Sequence, residues 1–313
     1  MGNPVRRRGH GVRGQAVRRL ALVAATAVLV TGCTSAASSS GASPSPAPAV
    51  TASGCLLGLA APAGGAGAFT AATGAHPDVL AQYAQPQDRL VIPPAGVMPL
   101  LSLATTQPPV QVLAGADDDA LTRLGQEIAA YERPVVVSID PEANGPWYSY
   151  GTRKASPAQY VALYRHVHDV LQQAGARNVT WAWTISNSPP ITHPSLLRSL
   201  YPGEAYVDWI GIDGYFIGSE DSWQQVFGRV LGEVRQFTGK PFLITETSVQ
   251  SGPQAAQWVR ELFAGVESTP GIVGFVWFDY DKAAENRDDW RIEDDPAALA
   301  AFRAAIRQYG EGS

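Results

Sequence analysis

From about residue 55 onward, short apolar runs alternate along the chain with stretches whose apolar positions repeat at helical spacing. The runs are rich in Val, Ile, Phe and Trp, and several lack alternating polar positions, which is typical of strands buried on both faces of a parallel sheet. The clearest predicted strands are Val135–Ile139, Val179–Ile185, Tyr206–Ile212, Phe242–Thr245 and Ile272–Phe278. Weaker patterns predict three earlier strands, at Cys55–Leu59, Val79–Tyr83 and Val97–Leu103.

Helical spacing between the runs predicts helices at Ala120–Tyr131, Pro157–Gln173, Ser222–Phe237, Gln254–Phe263 and Pro296–Tyr309. The clear strands end roughly every 30–40 residues, which is the length of one strand-plus-helix unit. Eight such units predict an α/β fold, a (β/α)8 barrel formed as a single domain by residues 54–313. An open doubly wound sheet is the alternative, but Ala63–Phe69 lacks the phosphate-binding fingerprint expected there.

The N-terminal segment 1–32 is predicted to be an export signal. A basic start precedes the apolar run Leu20–Val30, which is too short to span a bilayer. The run ends in Val30-Thr-Gly-Cys33, which resembles the lipobox of bacterial lipoproteins. The resemblance implies cleavage before Cys33, a lipid on this cysteine and an extracytoplasmic, membrane-anchored protein. The alternative is an ordinary secretory signal with a chance cysteine, and hence a secreted protein.

The composition of the mature chain limits the classes of partner that it is expected to bind. Residues 33–53 are mainly Ser, Ala, Pro and Gly without charge, which predicts a disordered tether. The net charge is −5, and because all the charged residues before Cys33 are arginines, the remainder is more acidic still. An acidic chain does not favour nucleic acid and suits a neutral substrate. We expect a monomer without cofactor or metal. The cysteines are Cys33 and Cys55, so no disulfide is expected to hold the fold.

Carboxylates and aromatic residues cluster where the predicted strands end. Glu142 follows the fourth strand and Glu246 the seventh. In a barrel, the C-terminal strand ends meet at one face, which carries the active site. Two carboxyl groups at such a face are the groups that cleave a glycosidic bond by acid–base chemistry. A structural ion pair at the barrel mouth is the alternative for these glutamates.

Four segments, in order along the chain, resemble glycoside hydrolase family 26, whose best-known members are β-mannanases. They are Glu142-Ala-Asn-Gly-Pro-Trp-Tyr-Ser-Tyr-Gly151, Tyr201–Tyr215, Lys240–Glu246, and Phe275–Phe278 followed by Asp289–Ile292. The resemblance implies a barrel with a retaining mechanism, in which Glu142 is the acid/base, Glu246 the nucleophile and Tyr215 its hydrogen-bond donor. It further implies substrate contacts from Asn144, Trp147, Tyr148, Trp183, Asp213, Tyr215, Trp277 and Trp290. A packed core residue is the alternative for Tyr215 and Trp277, and at least one of Trp181 and Trp183, which share a strand face, is expected to fill the barrel.

The chain departs from the family pattern beside the acid/base. Family members usually place a His immediately before this Glu, whereas Pro141 stands here and offers no side-chain hydrogen bond. Lost hydrogen bonds to substrate hydroxyls can change specificity by orders of magnitude. The sequence therefore predicts a polysaccharide hydrolase for which β-mannan is the first candidate and β-glucan or xylan are alternatives. A carbohydrate-binding lipoprotein with a degenerate barrel, or a purely structural barrel, are the non-enzymatic alternatives.

Overall fold

The computed structural model describes residues 55–188, 193–282 and 289–311. The predicted signal segment, the tether and Cys33 lie outside these residues. Within them, no helix is long and apolar enough to cross a membrane.

Eight parallel strands close into a barrel in chain order, which confirms the predicted (β/α)8 fold. Closure occurs where the first and last strands pair, with Leu56 opposite Gly274 and Ala60 opposite Phe278. The strands are β1 (Leu56–Ala60), β2 (Val79–Ala84), β3 (Met98–Leu103), β4 (Val135–Ile139), β5 (Val179–Ser186), β6 (Trp209–Asp213), β7 (Phe242–Thr247) and β8 (Ile272–Phe278).

Helices surround the strands. They are α1 (Gly65–Thr73), α2 (Pro109–Val112), α3 (Asp118–Tyr131), α4 (Pro157–Gln173), α5 (Pro194–Leu200), α6 (Arg229–Val234), α7 (Ala255–Ser268) and α8 (Pro296–Glu311). A capping box starts α4, because the Ser156 side chain accepts from the Gln159 backbone while Gln159 reaches back. The predicted helix Ser222–Phe237 is interrupted, since a π-helical turn, Gln224–Gly228, precedes α6. Between β2 and β3, segment 85–97 contains no helix.

The strands bury two different faces. The outer face packs against the helices in a large apolar layer that includes Trp181, Trp183, Phe275 and Trp277. The lower barrel interior holds a separate apolar cluster, including Leu100, Val136, Trp209 and Leu243. Higher in the barrel, the interior positions two residues further along four strands are polar: Ser102, Ser138, Thr184 and Thr245. On β6, the polar interior residue is Asp213, four residues beyond Trp209. This polar layer forms the floor of the mouth at the C-terminal strand ends.

Candidate active site

Glu246 lies within β7 and is turned into the barrel by an irregularity of that strand. Between Ile244 and Thr247, the pairing of β7 with β8 takes up an extra residue on β7. Such a β-bulge re-aims the side chains around it. Thr245 and Glu246 consequently both line the space inside the barrel, although they are neighbours in sequence.

Tyrosine hydroxyls hold the Glu246 carboxylate. The Tyr215 hydroxyl donates to Glu246 Oε2 at 2.6 Å, and Tyr83 makes a second side-chain hydrogen bond to the same residue. Burial raises the pKa of Glu246, while these two hydrogen bonds and the positive charge of Lys282 act against that rise. The carboxylate therefore has donors that stabilise its charged form.

Asp213, at the end of β6, lies beside Glu246 of the neighbouring strand β7 and lines the same cleft. Its side chain is buried, and Thr245 Oγ1 donates to its Oδ1 at 2.6 Å. Burial, followed by the negative charges of Glu246 and Glu142, raises the pKa of Asp213 well above its ordinary value. Burial and the neighbouring carboxylates therefore favour the protonated form of Asp213, whereas the tyrosine hydroxyls favour the ionised form of Glu246.

Glu142 is presented by a turn after β4 instead of by a strand. Asp140 and Glu142 both have left-handed backbone conformations, with φ of 44° and 57°. The turn is fixed because the Glu142 N–H donates to the Thr184 carbonyl at 2.9 Å and its carbonyl accepts from the Gly145 N–H at 2.8 Å. Trp147 Nε1 donates to Glu142 Oε2 at 2.8 Å, so an indole N–H orients this carboxyl group.

The two glutamates face one cleft of about 320 Å³. Its lining residues are Tyr83, Ala84, Gln85, Asp88, Ser102, Ala104, Pro141, Glu142, Tyr148, Asp213 and Glu246. Pro141 thus borders the cleft directly, at the position where the family resemblance leads one to expect a histidine. The lining combines carboxyl groups with tyrosine rings and small apolar residues.

The sequence analysis did not identify Tyr83, Phe278 and Tyr280 as aromatic residues of the site. Tyr83, at the end of β2, is 42% exposed and lies 6.4 Å from the Phe278 ring and 6.1 Å from the Tyr280 ring, between ring centroids. Tyr215 packs edge-on against Phe278 at 5.8 Å. A polar aromatic residue at the end of a predicted strand was the available signal for Tyr83, but β2 itself was weakly patterned.

The structure places two of the predicted substrate residues outside the cleft. Trp183 is fully buried on the outer face of β5, where its ring meets Tyr201 at 5.2 Å. Trp277 is fully buried on the outer face of β8 and packs edge-on against Phe302 of α8 at 5.1 Å. Both indoles belong to the layer between barrel and helices, because strand alternation directs them away from the interior. Neither is positioned as a sugar platform.

Asn144 is also displaced from its predicted role. It is buried, its Nδ2 donates to the Ser186 carbonyl at 2.8 Å, and its Oδ1 accepts from the Ser186 N–H at 2.9 Å. This reciprocal pair ties the Glu142 turn to the end of β5. Asn144 therefore shapes the site without offering its amide to a ligand.

The other predicted aromatic residues lie at or beside the mouth. Trp147 is 46% exposed and Tyr148 is 37% exposed, which leaves ring surface available to a sugar. Trp290 lies 4.9 Å from Tyr215, ring to ring. Asp289 and Arg291 form an ion pair, and Asp294 and Asp281 lie within 4 Å of the same guanidinium.

Residues 55–188, 193–282 and 289–311 contain no group of three or more His, Cys, Asp or Glu placed to hold a metal ion. His166 is hydrogen-bonded to Asp118 at 2.7 Å. His168, two residues further along the chain, is hydrogen-bonded to Asp169 at 2.9 Å, so the two imidazoles do not share a partner.

Comparison with known proteins agrees with this geometry. Residues 111–248, which include Glu142 and Glu246, match the model of glycosyl hydrolase family 26. Endoglucanase H of Acetivibrio thermocellus is 33% identical over 217 residues, covering 65% of this chain and 23% of that protein. Beta-1,3-xylanase TXYA of Vibrio sp is 30% identical over 139 residues, covering 43% of this chain and 27% of that protein. The chain thus spans about a quarter of the length of these relatives.

Solved structures share the fold. The GH26 beta-mannanase BoMan26A of Bacteroides ovatus superposes with a TM-score of 0.64 at 19% identity, covering 83% of this chain and 90% of that one. The catalytic domain of the Bacillus sp. JAMB-750 GH26 endo-beta-1,4-mannanase gives 0.60 at 16% identity, covering 82% and 86%. Residues 111–248 are thus similar to glycosyl hydrolase family 26, and the solved structures share the barrel fold.

Proposed function

We propose that this protein is a retaining glycoside hydrolase that cleaves a β-linked polysaccharide, with β-1,4-mannan as the first candidate. The observation that carries the proposal is the pair of carboxyl groups with different surroundings in one cleft. Glu246 accepts hydrogen bonds from two tyrosine hydroxyls that favour its ionised form, beside a buried Asp213 whose pKa is raised by burial and by the neighbouring glutamates. Glu142 has an indole N–H as its partner and lies on a separate turn.

In this mechanism the two glutamates have different tasks. Glu142 protonates the glycosidic oxygen while Glu246 attacks the anomeric carbon, so that the bond to the leaving sugar breaks and a glycosyl ester forms on Glu246. Glu142, now ionised, then removes a proton from a water molecule that displaces Glu246. Two inversions at the same carbon retain its configuration.

Trp147 and Tyr148 serve as sugar-stacking surfaces at the cleft edge. A pyranose presents an apolar C–H face that packs well on an aromatic ring. The acidic lining, with Asp88 added to the catalytic carboxyl groups, disfavours uronic-acid substrates by charge repulsion.

The test is hydrolysis by the full chain of galactomannan, mixed-linkage β-glucan, carboxymethylcellulose and xylans, with reducing ends and product anomers measured. We expect release from at least one glycan, with the β-anomer formed first, and its loss in Glu246→Ala. If the parent and the variant are equally inert on every glycan, the enzyme proposal fails. Glycan retention in affinity electrophoresis without release would favour the degenerate, carbohydrate-binding alternative.

A β-glucan or xylan is the second candidate. Pro141 lines the cleft where a family histidine is expected, so one hydrogen bond to the sugar is missing. Two matched relatives are named as an endoglucanase and a β-1,3-xylanase. Higher kcat/KM on glucan or xylan than on mannan would select this candidate. In that case Pro141→His is expected to raise the relative activity on mannan.

We further propose that the protein is monomeric, lies outside the cytoplasm and is anchored to the membrane through lipid on Cys33. The lipobox-like segment before Cys33 and the uncharged tether after it support this proposal. Incorporation of a radiolabelled fatty acid in the expressing cell tests it. We expect Cys33→Ser to abolish labelling and Cys55→Ser to preserve it, because Cys55 lies within the fold with its Sγ 3.7 Å from the Ile272 carbonyl oxygen. Labelling that survives Cys33→Ser would contradict the proposal.

A further inference from the structure

Asp140 is a buried carboxyl group that the proposed mechanism does not use. It precedes Glu142 by two residues, is fully inaccessible to solvent and is absent from the cleft lining. Buried carboxyl groups without a counter-charge are costly, so their retention requires compensating hydrogen bonds. Its contacts show what Asp140 does.

Thr105, just beyond β3, grips the Asp140 carboxyl group with two donors. The Thr105 N–H donates to Oδ1 at 2.7 Å, and the Thr105 hydroxyl lies 2.9 Å from Oδ1 and 3.1 Å from Oδ2. The backbone of Asp140 is engaged as well. Its N–H donates to the Leu103 carbonyl at 2.8 Å, and its carbonyl accepts from the Tyr160 hydroxyl at 3.2 Å.

This set of bonds surrounds an unfavourable backbone. Asp140 and Glu142 both adopt positive φ, a conformation that non-glycine residues rarely take because of the clash it creates at Cβ. Pro141 between them has no N–H with which to stabilise the turn. Such conformations persist only where the surroundings over-determine them, and they cluster at functional sites. The contact between the Thr105 and Asp140 side chains restrains Asp140, the first of the two residues with positive φ.

We propose that Asp140 is a positioning residue, whose clamp on Thr105 holds the left-handed turn that aims Glu142 at the glycosidic oxygen. The inference rests on the proposed function, in which Glu142 is the proton donor. A displacement of about 1 Å in a reacting group can cost about 10²-fold in rate. Loss of the clamp therefore weakens proton donation more than it weakens substrate binding.

Leaving-group dependence separates proton donation from general damage. Dinitrophenolate departs from a glycoside without protonation, whereas phenolate needs a proton donor. The experiment measures kcat/KM and KM of the full chain on phenyl and 2,4-dinitrophenyl β-mannobiosides, with the β-cellobiosides as a second series. The variants are Asp140→Ala, Asp140→Asn and Thr105→Val. Thr73→Val is the matched control, because Thr73 is equally buried but bonds to the Phe69 carbonyl in α1.

For Asp140→Ala we expect kcat/KM on the phenyl glycoside to fall about 10²-fold with little change in KM. The loss on the dinitrophenyl glycoside is expected to be at least about tenfold smaller, because that substrate bypasses the donor. Asp140→Asn keeps an acceptor for Thr105 and tolerates positive φ, so it is expected to restore most of the activity. Thr73→Val is expected to leave both values unchanged.

Equal losses on both leaving groups would overturn the positioning role and leave only a structural one. Should Asp140→Ala fail to fold, Thr105→Val decides, because it keeps the backbone N–H bond and removes only the hydroxyl. A parent protein that cleaves neither series nor any glycan removes the proposed function and this inference together. An active parent whose variants lose activity uniformly removes this inference alone.

Discussion

Near the mouth, the outer and inner faces of the barrel strands both carry aromatic residues, but these residues have different roles. On β8, Trp277 points outward and is buried against Phe302, whereas Phe278 points inward beside Tyr215. On β5, Trp183 points outward to Tyr201, whereas Thr184 lies inside against Ser138, with 2.6 Å between the hydroxyl oxygens. A shift of one residue along a strand thus separates the chemistry of the cleft from the packing of the helices.

This comparison teaches that aromatic residues at strand ends divide between the faces. The outer face stabilises the fold by burying large rings against helices. The inner face changes from apolar to polar towards the mouth, where the Thr245 hydroxyl donates to Asp213. Substitutions on the two faces should therefore affect different measurements.

The largest expected effect is that of Glu246→Ala on the inner face. Removal of the nucleophile should lower kcat/KM by about 10⁴-fold or more. The midpoint of thermal unfolding should stay constant or rise, because a buried carboxyl group is removed. Glu267→Ala, at an exposed position of α7, is the matched control and should retain full activity. Residual activity above about one per cent would contradict the nucleophile assignment.

Trp277→Ala on the outer face should produce the opposite pattern. Truncation of a fully buried aromatic residue costs about 3–5 kcal/mol of unfolding free energy. The fraction that remains folded should keep its kcat/KM within about threefold, since this ring does not face the cleft. Denaturant unfolding and steady-state kinetics on the same preparation provide the measurement.

Trp147→Ala, at an exposed aromatic residue, provides the contrast to Trp277→Ala. Trp147 is exposed and bonds to Glu142, so its removal should change unfolding free energy by about 0.5 kcal/mol or less while lowering activity. If Trp277→Ala instead raises KM selectively without loss of stability, the assignment of the two faces is wrong.

A smaller effect is expected from Tyr215→Phe. The change removes one hydrogen bond to a charged group, worth about 1.5–3 kcal/mol, and should lower kcat/KM by about tenfold to 10²-fold. Tyr164→Phe is the matched control, because its buried hydroxyl bonds to the Ala182 carbonyl at 3.0 Å in the outer layer. That control should lose about 1 kcal/mol of stability and keep its activity. Equal activities of the two variants would show that Tyr215 does not assist Glu246.

The smallest effect concerns the pH dependence of stability. Burial raises the pKa of Asp140 from 3.8 to about 7, although the Thr105 bonds act against the rise. The folded state therefore holds a proton that the unfolded state releases above its own pKa of 3.8. The stabilisation from this group is lost as the pH rises from about 4 towards 7. The carboxyl group of Asp140 interacts electrostatically with the carboxyl group of Asp117 and with the hydroxyls of Tyr150 and Tyr160.

Asp140→Asn, which does not titrate, should flatten the slope of unfolding free energy against pH in that window. Denaturant unfolding at several pH values between 4 and 8 measures it. An unchanged slope in the variant would mean that Asp140 is not the group responsible. The reverse sign, with stability increasing through this window because of Asp140, would contradict the raised pKa.

The amino-acid sequence alone determined the barrel, because eight strands, most of them followed by a helix, repeat along the chain, and strands buried on both faces are largely apolar. It also brought Glu142, Asp213, Tyr215 and Glu246 to one end of the barrel, because every parallel strand delivers its C-terminal end there. The predicted strand Phe242–Thr245 stopped one residue short of Glu246, and Tyr206–Ile212 began too early, but neither shift moved a residue to the other end.

Only the tertiary structure decided which way individual side chains point. β8 is apolar on both faces, so its alternation carries no signal that places Trp277 in the helix layer. On β5, Thr180, Thr184 and Ser186 alternate with the large apolar residues, and this period-two signal for Trp183 was missed. Glu246 faces the cleft because a bulge in β7 breaks the two-residue period, and Glu142 does so because two residues adopt left-handed conformations. Both irregularities depend on neighbouring strands, namely the pairing with β8 and the grip of Thr105. Local sequence does not encode such partners, which lie tens of residues away along the chain.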